Sequence, residues 1–258
     1  MGDPKQTQSA VHESEEFWER FSASASLHPA NLYRYDLIAD LVARDKQQHQ
    51  TIVDLGCGNG SLLSYFHHRG FGTRLLGVDG SAAIIQHNKK RLPFAEFQQA
   101  DLQLAKQFPL EIQADVVTCS EVIEHMPDYT PVFDIAHRLL RPGGLFILTT
   151  QGGKRRRHDI ELLGHLRHYN IGELAAETAA KGFQILRKQE AGWPALTLQK
   201  VAASMFMNRV AKELASHEEP SLLFRLACRI VGIFLKCSSK SFGPQLVIVA
   251  RKPDIQIS

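Results

Sequence analysis

Residues 53–60 read Val53-Asp54-Leu55-Gly56-Cys57-Gly58-Asn59-Gly60, a short apolar run that ends in three closely spaced glycines. Glycine lacks a Cβ atom and tolerates positive φ, so this backbone can approach a ligand closely. The G-x-G-x-G spacing differs from the G-x-G-x-x-G fingerprint of dinucleotide-binding proteins. Asp54 stands just before the loop, where a carboxylate would repel a pyrophosphate. The stretch therefore predicts a strand-to-helix turn that suits a cationic ligand.

Strand and helix patterns alternate on both sides of this loop. Seven segments have strand character, at residues 51–55, 74–78, 94–100, 114–119, 145–150, 183–188 and 245–250. Helical patterns occupy most of the gaps, and residues 141–144 (Arg-Pro-Gly-Gly) predict a turn. Alternation of this kind indicates parallel β-α-β units and an α/β sandwich, whose ligands bind beyond the carboxyl ends of the strands.

The tips of the second and third predicted strands carry acidic residues. Asp79 follows Gly60 by nineteen residues and precedes Gly80. An acidic residue at this distance from a glycine loop typically accepts hydrogen bonds from ribose hydroxyls. Asp101, after the third strand, is a candidate acceptor for an adenine amino group, with a plain loop carboxylate as the alternative.

The composition is that of an ordinary globular protein. The chain has 258 residues, 44% of them hydrophobic and 22% charged, and its net charge is +3. These values exclude a disordered, collagenous or disulfide-framework protein. The cysteines form no C-x-x-C pair, which favours reduced thiols: Cys57, Cys119, Cys228 and Cys237. We find no secretory signal and no apolar run near the roughly 18 residues of a membrane span. We therefore expect a cytoplasmic protein.

These motifs together resemble the class I S-adenosylmethionine-dependent methyltransferases, in particular the ubiquinone-biosynthesis O-methyltransferases. The matching blocks lie at residues 53–60, 77–79, 100–101, 114–117, 120–125 and 140–144. The resemblance implies a Rossmann-like seven-stranded sheet with helices on both faces, in one domain. We expect its parts to be an N-terminal helical cap, a cofactor-binding core, a helical insertion, and a last strand with a tail, at residues 1–48, 49–192, 193–242 and 243–258.

The resemblance implies S-adenosylmethionine as the cofactor. It places Gly56 and Gly58 at the methionine part, Asp79 at the ribose and Asp101 at the adenine. Arg34 is placed like an arginine that meets the methionine carboxylate in the ubiquinone-type enzymes. The full predicted cofactor-binding set is Asp54, Gly56, Cys57, Gly58, Asp79, Gly80, Ala100, Asp101, Leu102, Ser120 and Arg34.

Candidate catalytic residues follow the fourth predicted strand. Methyl transfer to a hydroxyl or amine can need a general base, and Glu121 and His125 are the candidates. Their i, i+4 spacing would place them on one face of a helix. Glu-x-x-Glu-His also resembles a segment that has a magnesium role in related enzymes, which would make Glu121, Glu124 and His125 the ligands. We expect turnover without a metal, because the same block is widespread in the superfamily without one.

Two further segments are candidates for contact with the acceptor. His168 and Tyr169 are predicted to contact the substrate, with an exposed polar loop as the alternative. The basic run at 154–158 suits a phosphate or carboxylate, nucleic acid, or a solvated surface equally well.

A helical insertion of roughly 50 residues separates the last two predicted strands, with helices predicted at 196–214 and 221–236. The second has nine large apolar residues and a cationic stripe of Arg225, Arg229 and Lys236. A membrane interface, a lid over a lipid-like substrate, a dimer contact and a buried helix all fit this pattern.

We conclude that the sequence predicts a methyltransferase for a small-molecule acceptor, methylated at oxygen, which is lipid-like or anionic. An RNA or protein methyltransferase is the alternative, although no separate RNA-binding module accompanies the domain, so we expect no nucleic-acid partner. A binding protein that keeps the fold without turnover is an alternative of another class. Peripheral membrane contact through residues 221–236 is a further expectation.

Overall fold

The computed structural model of the protein describes residues 28–45, 47–161, 163–205 and 222–254. Most of the predicted N-terminal cap (1–27) lies outside the described residues. So do the predicted end of the first insertion helix (206–214), residue 221 at the start of the second, and the tail from residue 255. The predicted division of the chain into four parts stays a prediction.

Seven strands and eight α-helices occupy the described part of the chain. The strands are β1 (Thr51–Leu55), β2 (Arg74–Asp79), β3 (Glu96–Gln99), β4 (Ala114–Ser120), β5 (Leu140–Gln151), β6 (Gln184–Ala191) and β7 (Gln245–Arg251). The helices are α1 (Pro29–Arg44), α2 (Ser61–His68), α3 (Ala82–Arg91), α4 (Thr130–Leu139), α5 (Arg157–Glu161), α6 (Ile171–Ala180), α7 (Ala195–Met205) and α8 (Leu222–Lys236).

The strands form one sheet in the order β3-β2-β1-β4-β5-β7-β6. The strands from β3 to β5 are parallel, and β7 runs antiparallel to both β5 and β6. The predicted seven-stranded α/β fold is confirmed. Strand order reverses direction between β1 and β4, and such a switch point opens a crevice at the carboxyl ends of the strands.

Two apolar clusters cover the two faces of the sheet, because neighbouring residues of a strand point to opposite faces. On one face, Ile52 of β1 packs in a cluster with Ile38 of α1 and Phe66 of α2. On the other face, Val53 belongs to a cluster with Phe133 of α4 and Leu174 of α6. The sheet is therefore held between two helical layers.

Strand β5 is longer than predicted, because tertiary pairing extends it at the start. Residues 141–144, predicted as a turn, lie inside β5. Gly143 N–H donates to the Lys252 carbonyl at 2.8 Å, and Lys252 N–H donates to the Gly144 carbonyl at 3.0 Å. The chain that follows β7 thus pairs with this segment. The short helix α5 was not predicted.

The helices α1, α7 and α8 belong to the helical layer on the first face of the sheet, the one with Ile52, and in it α8 packs on α1 and also contacts α7. Leu235 of α8 is fully buried in the cluster that includes α1. Among the described residues, no helix combines the length and apolar character that crossing a bilayer requires.

Candidate active site

The glycine loop joins β1 to α2 and is tied to β2 by its backbone. Gly56 and Cys57 donate N–H groups to the Val78 carbonyl, at 2.8 and 2.9 Å. Gly56 has φ +71°, and a Cβ there would collide with the Val122 side chain. Gly58 has φ +48°, but a Cβ there would meet nothing within 4 Å. Gly56 is therefore required for packing, while Gly58 presents an open backbone face.

Asp79 connects the glycine loop to the end of β2. Its Oδ2 accepts the Gly58 N–H at 3.0 Å, and its Oδ1 accepts the Ser81 N–H at 3.0 Å. Burial raises the pKa of this carboxyl, and the backbone N–H groups partly oppose that rise. An ionised carboxylate offers about four lone-pair sites, so Asp79 keeps acceptor capacity for a further donor.

Asp54 is the second carboxyl at this edge of the sheet. Its Oδ1 accepts the Thr118 hydroxyl at 2.6 Å, and the residue is buried. Burial raises the pKa of Asp54 to about 7; the Thr118 hydrogen bond opposes the rise and the charge of Asp79 adds to it. Two carboxyls, Asp54 buried and Asp79 half-buried, lie beside an open backbone face and suit a cationic ligand.

Apart from Arg34, which lies on α1, the other predicted cofactor residues lie at the ends of β1 to β4. The Ala100 N–H donates to the Asp79 carbonyl at 3.0 Å, which places the loop after β3 beside β2. Ala100 and Leu102 are buried, whereas Asp101 is exposed. Gly80 is exposed directly after Asp79, and Cys57 is a buried free thiol. The Ser120 Oγ, at the end of β4, accepts the Thr149 hydroxyl at 2.9 Å.

Glu121 lies at the centre of a polar cluster beside this edge. Its Oε1 accepts the Gln245 amide at 2.8 Å, its Oε2 is 3.4 Å from Arg34 Nη1, and it also accepts from the Gln151 amide. Burial opposes ionisation, but the charge of Arg34 and the amide hydrogen bonds together hold the pKa of Glu121 below its usual range. Glu121 is therefore an ionised, fully engaged carboxylate.

Glu124 has the opposite character. It is completely buried, its Oε2 accepts the Thr150 hydroxyl at 2.8 Å, and its Oε1 has no hydrogen-bond partner among the described residues. Burial and the nearby Glu121 charge raise its pKa. Two carboxyls whose pKa values are driven apart are typical of acid–base sites.

Three histidines complete the cluster. His165 Nδ1 lies 3.0 Å from His168 Nε2, and the His125 and His165 rings are 4.9 Å apart, edge to face. Burial lowers the pKa of all three, that of His165 to about 4. The imidazoles are therefore neutral near pH 7.

Two groups of side chains in this cluster have metal-ligand geometry. Glu124, His125 and His165 offer one ligand atom each within 4.8 Å of one another, and so do Asp159, His165 and His168. Glu121, which the Glu-x-x-Glu-His block suggested as a ligand, is bound by Arg34 and two amides instead.

The prediction that Glu121 and His125 share a helix face is wrong. Glu121 adopts φ +58°, in the left-handed region, and only a single 3-10 turn, Ile123–His125, follows it. A left-handed residue cannot continue a right-handed helix. The two side chains instead belong to the same polar cluster, where the charge of Glu121 acts on the His125 imidazole.

A cover loop, whose described residues are 152–161 and 163–169, folds over the cluster between β5 and α6. The Leu166 N–H donates to the Glu124 carbonyl, and the Tyr169 hydroxyl donates to the Ile123 carbonyl, both at 2.8 Å. His168 thus lies in the cluster, while the Tyr169 hydroxyl fastens the loop. Their predicted contact with substrate stays a prediction.

The basic run, residues 154–158, lies on this cover loop. Two of its arginines, Arg155 and Arg157, make different contacts. Arg155 donates to the carbonyls of His165 and Leu166, at 2.9 and 2.5 Å. Arg157 is exposed and pairs with Glu161 within α5, at 2.9 Å. Arg155 is therefore a structural residue of the cover loop.

Comparison with known proteins decides the family. Residues 28–188 match the family model described as a methyltransferase domain. The chain belongs to this methyltransferase family. Its fold is that of the class I S-adenosylmethionine-dependent methyltransferases, so S-adenosylmethionine is the cofactor that the family implies.

Curated relatives of this methyltransferase include ubiquinone biosynthesis O-methyltransferases. That of Pseudomonas paraeruginosa is 33% identical over 139 residues, which cover 52% of this chain and 57% of the relative. That of Psychrobacter cryohalolentis is 29% identical over 170 residues, covering 57% and 63%. The match thus spans little more than half the length of these relatives.

Solved structures with the same fold include a S-adenosylmethionine-dependent methyltransferase from Mesorhizobium loti, with a TM-score of 0.52, 19% identity, and coverage of 84% of this chain and 97% of that one. Phosphoethanolamine N-methyltransferase 2 of Haemonchus contortus, solved with S-adenosylmethionine, has a TM-score of 0.53 and 18% identity, with coverage of 84% and 52%. At these identities the likeness shows the fold alone.

Several residues of the methyltransferase site were not found from the sequence. Gln151 ends β5 and Gln245 begins the antiparallel β7, so their register pairs them at the carboxyl edge of the sheet. A buried glutamine at the end of an apolar strand was the available signal. Lys200 of α7 contacts the Gln151 amide oxygen and lies 3.9 Å from Asp159 Oδ1. The contacts of Lys200 with Gln151 and Asp159 depend on tertiary packing, and no local sequence pattern indicates them.

Proposed function

We propose that this protein transfers the methyl group of S-adenosylmethionine to a hydroxyl oxygen of a small-molecule acceptor. One observation carries the proposal. The edge of the sheet that suits a cationic ligand, with Asp54 and Asp79, adjoins a cluster with neutral imidazoles and an ionised carboxylate. One half of the crevice thus fits the methyl donor, and the other half fits an acceptor that loses a proton.

The donor half fits S-adenosylmethionine in charge and in shape. Its sulfonium and ammonium groups are cations, which the carboxyls of Asp54 and Asp79 attract. Gly58 lets the backbone approach the methionine part, and Asp79 retains acceptor capacity for ribose hydroxyls. When bound, the cofactor supplies a methyl group already activated by the positive sulfur. The protein has to align the acceptor and exclude water.

His125 is the proposed general base. Desolvation keeps its pKa below the usual value, while the charge of Glu121 and a hydrogen bond with the Gly164 backbone favour the protonated form. The imidazole is thus unprotonated at neutral pH but becomes a stronger base beside Glu121. His125 is also solvent-accessible, which gives the proton a route out. Glu121 acts as a positioning residue, because both of its oxygens are already engaged.

The proposed acceptor is lipid-like or anionic. The relatives are named for ubiquinone biosynthesis, which supports an O-methylated, apolar acceptor. Arg34 is a buried cation and Lys200 a half-buried one at the cluster, and both would favour an acceptor with a negative group. RNA or protein methylation remains the alternative, and a binding protein without turnover is the alternative of another class.

We further propose that turnover needs no magnesium. The group formed by Glu124, His125 and His165 offers two imidazoles and one carboxyl that favours its proton. Magnesium prefers oxygen ligands, whereas imidazoles suit zinc and its neighbours. A bound ion of that kind would be held by these three residues and would polarise an acceptor hydroxyl. Chelator-treated enzyme should keep its rate; a rate lost on chelation and restored by magnesium would refute the proposal.

The acceptor class can be tested with methyl-labelled S-adenosylmethionine and fractionated extract of the source cells. We expect label in a lipid or saccharide fraction. Label in RNA or protein would favour the alternative enzyme class. Cofactor binding with no label in any fraction would favour a binding protein.

The role of His125 has its own test once an acceptor is found. His125→Asn should lower kcat by on the order of 10²–10⁴-fold, the usual contribution of a general base, with unchanged cofactor affinity. His68→Asn, at an exposed position of α2, is the matched control. A His125 variant with the wild-type rate would remove this residue from the chemistry.

A further inference from the structure

Helix α8 turns an apolar side outward. Ile233 and Phe234 are 65% and 64% exposed, whereas the adjacent Leu235 is completely buried. Leu226 and Ile230 are exposed as well. The four exposed residues have i, i+4, i+7 and i+8 spacing, which forms one continuous stripe on a helix. We call this stripe of Leu226, Ile230, Ile233 and Phe234 the outer face.

Cations border the outer face. Arg229 and Lys236 are both exposed and lie seven residues apart, on one edge of the stripe. Lys240 follows the helix and is also exposed, but it pairs with Asp40 of α1 at 2.9 Å. Neither helix carries an Asp or Glu within its described bounds, Ala195–Met205 for α7 and Leu222–Lys236 for α8. The edge of the outer face that Arg229 and Lys236 form is therefore positive, and the described residues of α7 and α8 supply no carboxylate to offset it.

The neighbouring elements extend the apolar surface. Helix α7 contacts α8 and exposes Leu198 and Met205, which lie seven residues apart and so on one side of that helix. Trp193 precedes α7 and Phe242 follows α8. Their exposed rings meet edge to face, 5.9 Å apart. The Ser239 N–H donates to the Trp193 carbonyl at 2.7 Å and holds this aromatic pair near the helix end.

We propose that the outer face docks on the surface of a membrane that contains anionic lipids. A helix with an apolar side, a cationic edge and few acidic groups lies in the interfacial plane, with its apolar side chains in the acyl boundary. Lysine and arginine reach from such a helix to the head groups, and amphipathic aromatic rings favour the same depth. The proposal does not depend on the methyl-transfer chemistry.

Charge separates this occupant from a second copy of the chain. Two outer faces brought together would bring the Arg229 and Lys236 of both copies into one interface, with no carboxylate from the described residues of either α8 to offset them. Like charges facing each other across an interface are unfavourable. Anionic head groups instead neutralise these cations.

The place of α8 in the fold connects docking to the site. Helix α8 packs on α1, and α1 carries Arg34, which pairs with Glu121 in the polar cluster. A membrane under α8 would therefore lie on the helical layer that contributes to the acceptor half of the crevice. A lipid-like acceptor could then enter from the bilayer.

The test is flotation of the full chain with vesicles. Vesicles of phosphatidylcholine with phosphatidylglycerol should bind the protein, vesicles of phosphatidylcholine alone should bind at least tenfold less, and salt should weaken the binding through screening. Ile233→Ser with Phe234→Ser should lower binding to anionic vesicles by at least tenfold. Arg229→Glu with Lys236→Glu should have the same effect. Leu186→Ser, at an exposed position of β6, is the matched control.

Each variant should keep its circular dichroism spectrum and its affinity for S-adenosylmethionine, which shows that it folds. Absence of flotation, or equal binding of the control and outer-face variants, would overturn the proposal. A wild-type dimer in light scattering that the outer-face variants convert to a monomer would also overturn it, in favour of self-association. Loss of methyl transfer without loss of flotation would concern the proposed function alone.

Discussion

Asp79 shows how one side chain can organise the cofactor half of the site. Its two oxygens hold the Gly58 and Ser81 N–H groups, so it fixes the glycine loop against the start of α3. Asp79→Ala should weaken S-adenosylmethionine binding by about 1–3 kcal/mol, because a ribose hydroxyl and backbone donors lose their partner. Calorimetry measures the affinity. Asp134→Ala, at an exposed position of α4, is the control, and wild-type affinity in Asp79→Ala would contradict the ribose assignment.

The raised pKa of Asp54 predicts that the stability of the protein depends on pH. Its folded pKa, about 7, lies above the ordinary aspartate value, so the folded state holds a proton that the unfolded state has released. The contribution of this residue to the free energy of unfolding therefore falls as pH rises from about 4 to about 7. Asp54→Asn removes this contribution, so its melting temperature should decline less with pH over that window. Parallel pH profiles of the two proteins would contradict the prediction.

The positive charge of S-adenosylmethionine should also change the protonation of Asp54. A positive ligand favours ionised Asp54, so cofactor binding below pH 7 should expel a proton from the wild-type protein and fewer protons from Asp54→Asn. Calorimetry in two buffers of different ionisation enthalpy measures that difference. Equal proton release by both proteins would place the cation away from Asp54.

At the scale of elements, the cover loop should matter for the acceptor and not for the cofactor. Arg155 holds the carbonyls of His165 and Leu166, and so positions the histidine cluster. Arg155→Ala should lower kcat/KM for the acceptor by about tenfold or more, since a charged hydrogen bond contributes about 1.5–3 kcal/mol. The affinity for S-adenosylmethionine should not change.

Arg157→Ala is the matched control for that experiment. Arg157 has the same charge, lies two residues away and pairs with Glu161 of its own short helix. Equal losses of activity in both variants would show that the positive charge of the run acts on the acceptor directly. A loss of cofactor affinity in Arg155→Ala would show that the cover loop also serves the donor half.

For the whole molecule, ligand binding should raise the melting temperature. At a concentration one hundredfold above Kd, a ligand stabilises the folded state by about 2.7 kcal/mol. For a chain of this size that corresponds to a rise of about 5–11 °C. S-adenosylmethionine should produce this rise and NAD should not, because the glycine spacing and Asp54 disfavour a pyrophosphate. A larger shift with NAD would contradict the cofactor assignment.

The sequence predicted the sheet, which is confirmed, and a cofactor-binding edge, which stays a prediction, because both depend on contiguous patterns. The glycine loop, Asp79 and Asp101 occupy strand ends, and parallel strands bring their carboxyl ends to one edge whatever the details of packing. The predicted bounds of an element were less accurate where its backbone pairs with residues far away in the sequence. Strand β5 starts at Leu140 because Gly143 and Gly144 pair with Lys252, far along the chain.

Only the tertiary structure decided the acceptor half and the direction of α8. Whether Glu121 is a base or an ion-paired carboxylate depends on Arg34, Gln151 and Gln245, which come from three separate elements. Likewise, the sequence of α8 fits a buried helix as well as an interfacial one, since periodicity defines the faces of a helix but not what covers them. The packing of Leu235 on α1 fixes which side is buried and leaves Ile233 and Phe234 exposed. Local pattern thus determined the fold and indicated the proposed cofactor edge, while contacts between distant elements determined protonation and exposure.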